Sequence, residues 1–132
     1  MSFSMSEIAA IIFTSIAMII AAFHLLLAFG WPLGNRVMGG KFSGQWSPKM
    51  RLVAVFIVCF WLFFSLVVLA QVGYIIEEFQ DISKSTSWII VVFSGIQVVL
   101  HVITPSKEER KFWLPITLIL LITSLVVAVN RT

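Results

Sequence analysis

The chain has 132 residues, of which 60% are hydrophobic and 11% are charged, and its net charge is +3. Soluble domains are about 45–50% apolar and about 25% charged, so this composition excludes a soluble globular protein. Four apolar runs fill the 132 residues and leave no room among them for a separate soluble catalytic domain, and no long basic run offers a surface for nucleic acid. With a mean hydropathy of +1.05, the chain is predicted to be a membrane protein.

The four apolar runs are predicted to be transmembrane helices. They cover residues 8–29, 50–74, 88–104 and 112–129. A helix needs about 20 apolar residues to cross about 30 Å of hydrocarbon. The strictly apolar part of the third run ends at Ile103, and the run approaches that length when Thr104 or the Ser-rich segment before Trp88 is counted with it. The predicted fold is one all-α domain over residues 1–132, a transmembrane four-helix bundle.

The first run carries small and polar residues on one helix face. Spaced alternately by four and three residues, they are Ala10, Thr14, Ala17, Ala21, His24 and Ala28. Helices in lipid associate through small residues that allow close approach and through polar side chains that bond across helices. This stripe is therefore predicted to face the other helices.

The segment after the first run is rich in glycine and in basic residues. Its candidate anion-binding residues are Arg36, Gly39, Gly40, Lys41, Lys49 and Arg51. Glycine exposes backbone N–H groups that attract anions, so a lipid headgroup or a phosphate-bearing ligand is a candidate partner. The alternative is a turn whose basic residues only fix the orientation of the chain. The spacing and the Lys–Ser/Thr pair of a P-loop are missing.

The second run begins with helix-capping chemistry, because Ser47 offers a hydroxyl before Pro48 at the first helical position. Since the run continues into Glu77 and Glu78, this helix is expected to project beyond the membrane surface. Cys59 lies in the middle of the run and is predicted to be a small buried apolar residue.

The third run has a polar stripe with a similar spacing. It consists of Ser87, Ile90, Ser94, Gln97, His101 and Thr104. Both stripes end in a histidine about one to one and a half turns before the same predicted boundary, so His24 and His101 are expected at one depth. If the two stripes face each other, the imidazoles share a polar pocket, and Thr14, Ser94 and Gln97 form a candidate polar seam.

The fourth run begins after Pro105 with a capping-box pattern at residues 106–109. Its stripe is weaker and consists of Thr117, Leu121, Ser124 and Ala128. Pro115 either kinks this helix or falls within its first turns.

The basic residues are sorted by side of the predicted membrane. Those on one side are Arg36, Lys41, Lys49, Arg51, Lys107, Arg110 and Lys111. The other side has only Lys84 and Arg131. The positive-inside rule then places both basic loops in the cytoplasm and both termini outside.

Four tryptophans fall near the predicted membrane surfaces, where an indole can keep its ring in the acyl boundary and its N–H in water. These four predicted anchors are Trp31, Trp46, Trp88 and Trp113. Trp61 lies in the middle of a span, so it is predicted either to pack against another helix or to contact lipid.

The candidate cofactor-binding residues are His24 and His101. Two histidines on neighbouring helices can ligate a b-type haem from both faces. The alternative is that the two histidines form hydrogen bonds between helices. Two imidazoles alone are too few ligands for a typical metal site. No metal site and no catalytic residue is predicted. The four spans contain no Asp or Glu, which argues against a proton-coupled exporter.

The positions of several glycines and prolines resemble those of a known group. The pattern comprises His24, the Gly–x–Pro–x–Gly of residues 30–34, Gly39–Gly40, Gly44, Pro48, Arg51 and the Ile–Thr–Pro–Ser–Lys–Glu–Glu step at residues 103–109. It is similar to short four-span bacterial proteins described only as hypothetical integral membrane proteins. The resemblance covers most of the chain and implies a bacterial source and a four-span fold, but no mechanism.

The leading hypothesis is a small non-enzymatic protein of the cytoplasmic membrane, an accessory subunit or sensor that binds lipid or a protein partner through its basic loop. It is expected to have no resident cofactor, and it can self-associate or join a larger complex. The first alternative is a haem b or quinone electron carrier that uses His24 and His101. The second is a carrier for a small solute along the seam of Thr14, Ser94 and Gln97.

Overall fold

The computed structural model describes residues 4–32, 44–74, 80–103 and 107–131, apart from the side chains of residues 80, 83, 108, 109, 130 and 131. These residues form four α-helices: α1 (Met5–Ala28), α2 (Pro48–Gln71), α3 (Gln80–Ile103) and α4 (Lys107–Arg131). Each contains a stretch that is long and apolar enough to cross a membrane. The described residues thus confirm the prediction of an all-α transmembrane four-helix bundle.

The helices run up and down in turn. The start of α1 meets the end of α2, where Tyr74 Oη donates to Glu7 Oε2 over 2.7 Å. The start of α4 meets the ends of α1 and α3, because the Trp113 ring lies 6.3 Å from that of His24 and 6.4 Å from that of His101. We call this second end the basic end. Its described basic side chains are Lys49, Arg51, Lys107, Arg110 and Lys111.

The neighbours of each helix show how the stripes of α1 and α3 are placed relative to each other. α1 packs against α2 and α4, and α3 packs against the same two helices, so α1 and α3 are diagonal. The sequence left open whether the two stripes face each other, and they do so only across the centre of the bundle, not at a shared helix interface. Both stripes point to the centre of the bundle. In a four-helix bundle, two diagonal helices can both face the central axis although they do not pack side by side.

The stripes themselves are correctly identified. The stripe residues that are fully buried are Ala10, Ala17, Ala21 and His24 on α1, Ser87, Ile90 and Ser94 on α3, and Thr117, Ser124 and Ala128 on α4. Scattered polar residues of α2, Ser65 and Gln71, are buried as well. Most of the buried residues are hydrophobic, and the small and polar stripe residues lie among them, where they allow the close approach and the polar contacts by which helices associate in lipid.

The ends of α1 and α2 share one capping motif. At the first, Trp31 N–H donates to the Leu26 carbonyl over 3.1 Å and Gly30 has φ +99°. At the second, Tyr74 N–H donates to the Leu69 carbonyl over 3.0 Å and Gly73 has φ +81°. This is the Schellman arrangement, in which a residue with positive φ turns the chain out of the helix. α2 therefore ends at Gln71, and the expectation that it projects beyond the membrane is wrong.

The other helix boundaries also shift from the hydropathy runs. Ser47 caps α2 as predicted, with its Oγ accepting from Met50 N–H over 3.3 Å. α3 begins at Gln80, eight residues before its apolar run. Hydropathy predicts which residues lie in the membrane, but it does not predict where the helical hydrogen bonds begin. Pro115 lies inside α4, beyond its first turn. Residues 104–106 lie outside the described residues, and with them Ser106, the first residue of the predicted capping box.

Two of the four predicted tryptophan anchors face inward. Trp46 is 2% exposed and Trp113 is 4% exposed, so both belong to the core and the anchor assignment is wrong for them. Trp31 and Trp88 are exposed, in agreement with the anchor prediction. Cys59 is also exposed, which contradicts its predicted burial. Sequence position fixes the depth of such a residue but not its direction around the helix axis.

Candidate functional site

A cavity of about 190 Å³ lies inside the bundle toward the basic end. We call it the histidine cavity. It is lined by Ile20, His24, Ile57, Phe60, Trp61, Phe93, Gln97, His101, Trp113 and Thr117, so all four helices contribute. Pockets for drug-sized ligands are about 300–1,000 Å³, and this cavity is suited to something smaller.

His24 is held in one orientation by its own helix. Its Nδ1 lies 2.9 Å from the carbonyl oxygen of Ile20, one turn earlier, and the side chain is only 8% exposed. A carbonyl oxygen can only accept, so Nδ1 carries the hydrogen. In the neutral ring Nε2 is then the hydrogen-bond acceptor.

His101 repeats this arrangement on the diagonal helix. Its Nδ1 lies 2.7 Å from the carbonyl oxygen of Gln97, again one turn earlier, and the side chain is half-buried. The same tautomer follows, with Nε2 as the acceptor atom of the neutral ring. The structure thus brings together the two histidines that the sequence singled out, at one depth and in one cavity.

Trp113 packs against both imidazoles, a role that the sequence analysis missed. Its ring lies 6.3 Å from His24 and 6.4 Å from His101, and it meets Phe23 edge to face at 5.2 Å. A signal for this was present, because Trp113 lies four residues before Thr117 and so on the polar stripe of α4. The tryptophan links the end of α1 to the end of α3.

Aromatic rings form the wall of the cavity away from the basic end. Phe93 lies 5.1 Å from Phe60, 5.9 Å from Trp61 and 5.4 Å from Phe64, measured between ring centroids. These separations are typical of aromatic pairs, and two of the three are edge to face. The cavity therefore has flat apolar walls on one side and polar groups on the other.

The predicted polar seam is only partly assembled. Gln97 lines the histidine cavity, whereas Thr14 and Ser94 are not among its lining residues. The hydroxyl oxygens of Thr14 and Ser94 are buried and have no hydrogen-bond partner among the described residues. Other buried hydroxyls donate to their own helix, as Ser65 does to the Trp61 carbonyl.

The predicted anion-binding loop is described only at its end. Arg36, Gly39, Gly40 and Lys41 lie outside the described residues.

Of the two remaining residues, Lys49 is exposed, while Arg51 is half-buried and donates from Nε to the Trp46 carbonyl over 3.0 Å. A Cβ at Gly30 would lie 2.9 Å from Arg51 Nη2. Arg51 therefore holds the end of α1 close to the start of α2.

The described side chains limit the cofactors that this site can hold. They include no group of three His, Cys, Asp or Glu residues placed to bind a metal ion. A haem macrocycle is larger than a cavity of about 190 Å³, so ligation by His24 and His101 requires the helices to move apart. Haem stays an untested alternative to the expectation of no resident cofactor.

Comparison with known proteins adds no family: no protein-family model, no curated protein and no solved structure matches this chain. The resemblance to short four-span bacterial membrane proteins therefore stays a prediction, and the function has to be argued from the cavity itself.

Proposed function

We propose that this chain is a non-enzymatic membrane protein, a sensor or accessory subunit, that binds one small molecule in the histidine cavity. The observation that carries the proposal is the convergence of all four helices on one space whose polar groups come from three of them. Polar side chains inside a membrane bundle are costly and commonly mark a functional site. The cavity lining includes no carboxylate and no thiol, which favours binding over catalysis.

We also propose a place for the bundle in the cell. The basic end carries the exposed side chains of Lys49, Lys107 and Lys111. Cytoplasmic loops are enriched in Lys and Arg, and the anionic cytoplasmic leaflet attracts such residues. These charges favour a bacterial inner membrane location with the basic end in the cytoplasm and both termini outside. Anionic lipid headgroups are then the nearest partners of the basic end.

Filling the cavity tests the binding role. The purified protein in lipid nanodiscs is unfolded by heat in the presence of benzene, benzyl alcohol, hydroquinone or benzoquinone, each of which fits the volume. At least one of them is expected to raise the Tm, because a ligand that binds only the folded state stabilises it. The variant Ile57→Trp, which puts an indole into the lining, is expected to lose this shift.

A neighbouring substitution provides the matched control. Phe56 precedes Ile57 on α2 and is 72% exposed on the outer surface. Phe56→Trp is therefore expected to keep the ligand-dependent shift. If none of the four compounds raises the Tm of the unaltered protein, or if Ile57→Trp keeps the shift, the proposed binding role is wrong.

A further inference from the structure

The volume of the histidine cavity points to one ring. An apolar cavity of about 150 Å³ in a protein core holds a molecule of benzene. The histidine cavity, at about 190 Å³, exceeds that by room for one or two small substituents. The cavity is partly open, and a macrocycle is too large for it.

The walls are suited to a flat ring. Phe60, Trp61, Phe93 and Trp113 all line the cavity, and they belong to three different helices. Aromatic rings favour offset-stacked or edge-to-face contact with another ring. Flat walls from several directions therefore prefer a planar aromatic guest to a branched aliphatic one.

Two of the polar groups in the cavity, those of His24 and Thr117, present acceptors to the guest, while the amide of Gln97 can both donate and accept. His24 uses Nδ1–H for the Ile20 carbonyl, so the neutral ring meets a ligand through the Nε2 lone pair. Thr117 Oγ1 donates its hydrogen to the Leu114 carbonyl over 3.0 Å, so its oxygen also meets a ligand as an acceptor. A ligand that matches these two groups must supply hydrogen-bond donors.

We propose that the histidine cavity binds the ring of a phenol or a quinol, and that a ring hydroxyl donates to Nε2 of His24. Thr117 Oγ1 is a further acceptor for a ring hydroxyl in the same cavity. This inference rests on the proposed binding role and names its ligand class. The headgroup of a membrane quinol and a free phenol share this chemistry.

A pair of ligands with the same ring tests the donor requirement. Hydroquinone and 1,4-dimethoxybenzene share the ring and its two oxygens, but only the first has hydroxyl hydrogens, and the second is larger by two methyl groups. The cavity variants described below therefore assign the preference to the hydroxyl hydrogens. Their affinities are measured by titration calorimetry under argon, with the full-length protein in nanodiscs. Hydroquinone is expected to bind about tenfold more tightly, because a buried acceptor left without a partner loses about that factor.

The outcomes separate the ligand class from the binding role. Equal affinity for both compounds, or binding of benzene without binding of hydroquinone, overturns the phenol assignment and leaves the proposed function intact. If hydroquinone, dimethoxybenzene and benzene all fail to bind, and benzyl alcohol and benzoquinone fail as well, both proposals are wrong.

Variants then locate the acceptor. His24→Phe keeps an aromatic ring and removes Nε2, so the affinity for hydroquinone is expected to fall about tenfold toward that of dimethoxybenzene. Thr117→Val is nearly isosteric, and it provides a second test of the acceptor set if His24→Phe does not fold. Thr123→Val is the control, because Thr123 is buried on the same helix but does not line the cavity. A preference for hydroquinone that survives both cavity variants contradicts the proposal.

A long-chain quinol identifies the source of the ring. A decyl-substituted benzoquinol is compared with hydroquinone after both affinities are corrected for partition into the nanodisc lipid. Tighter binding of the decyl compound identifies a membrane quinol, and weaker binding identifies a free phenol. A failure of both ring hydroxyl compounds to bind overturns the assignment.

Discussion

Gly30 meets two requirements at once. Its φ of +99° is a conformation that L residues rarely adopt, and a Cβ there would lie 2.9 Å from both Arg51 Nη2 and Gln45 Nε2. Gly30→Ala is therefore expected to lower the free energy of unfolding by about 2–3 kcal/mol, as measured by SDS titration in mixed micelles.

A second glycine separates these two causes. Gly44 has φ +75°, but nothing lies within 4 Å of a Cβ built on it. Gly44→Ala is expected to cost about 1–2 kcal/mol, the price of the backbone conformation alone. If the two variants are equally destabilised, the close approach of Arg51 to Gly30 contributes nothing to stability.

His24 is expected to stabilise the bundle even without a ligand. It packs against Trp113 and Phe23 in the interior, with ring centroids 6.3 and 5.6 Å away. His24→Ala should lower the free energy of unfolding by about 1–2 kcal/mol, because it removes aromatic contacts that contribute about 0.5–1.5 kcal/mol each. The same SDS titration measures it.

The next residue on α1 is the control for His24. Leu25 is exposed on the outer surface of the bundle, so Leu25→Ala is expected to change the stability by no more than about 0.5 kcal/mol. If His24→Ala and Leu25→Ala lower the free energy of unfolding equally, His24 does not stabilise the bundle.

At the scale of helices, one hydrogen bond ties the start of α1 to the end of α2. Tyr74 Oη donates to Glu7 Oε2, and this bond is the main reason why the pKa of Tyr74 is raised above 10.0, with desolvation and the Glu7 charge adding to it. A raised pKa means that the bond stabilises the folded state below the ordinary tyrosine pKa and is lost as the pH rises through the folded value.

Because Tyr74 is the only tyrosine, its phenolate absorbance near 295 nm can be followed alone. The titration is expected to have a midpoint above pH 10 and to move down in Glu7→Ala. Asp81→Ala removes an exposed carboxylate from the first turn of α3 and should leave the midpoint in place. A midpoint unaffected by Glu7→Ala would show that the α1–α2 tie is absent in solution.

The sequence predicts which helix faces are buried more reliably than which helices are neighbours. Polar residues at helical spacing in an apolar run, such as Ser87 and Ser94, indicate a face that is turned away from lipid, whether for packing or for a site. Each stripe, however, points to the axis of the bundle, and an axis is shared by all four helices. The diagonal placement of α1 and α3 therefore could not be predicted from their stripes.

Helix ends and tryptophan directions were missed for different reasons. Gly73 was available in the sequence as a signal for the end of α2, but hydropathy continued past it. Trp113 was assigned to the membrane surface because of its depth, whereas its spacing from Thr117 already placed it on an inward face. The depth of a residue in the membrane and its direction around the helix axis are independent, and hydropathy predicts only the depth.

At the scale of the whole molecule, the proposed orientation can be measured by cysteine labelling. In a Cys59→Ser background, Lys111→Cys at the basic end is expected to react with a membrane-impermeant maleimide only after the cells are opened. Lys84→Cys, which is exposed on α3 toward the other end, is expected to react in intact cells. The reverse pattern would place the basic end outside.

The diagonal relation of α1 and α3 has a mechanical consequence. His24 and His101 come from the two helices that do not pack side by side, so the space between them is set by the separation of one diagonal rather than by any single helix interface. Lateral pressure from the surrounding acyl chains acts on that same separation. If the cavity binds a guest as proposed, the guest holds these two helices apart, and its affinity is expected to change with the lateral pressure of the bilayer.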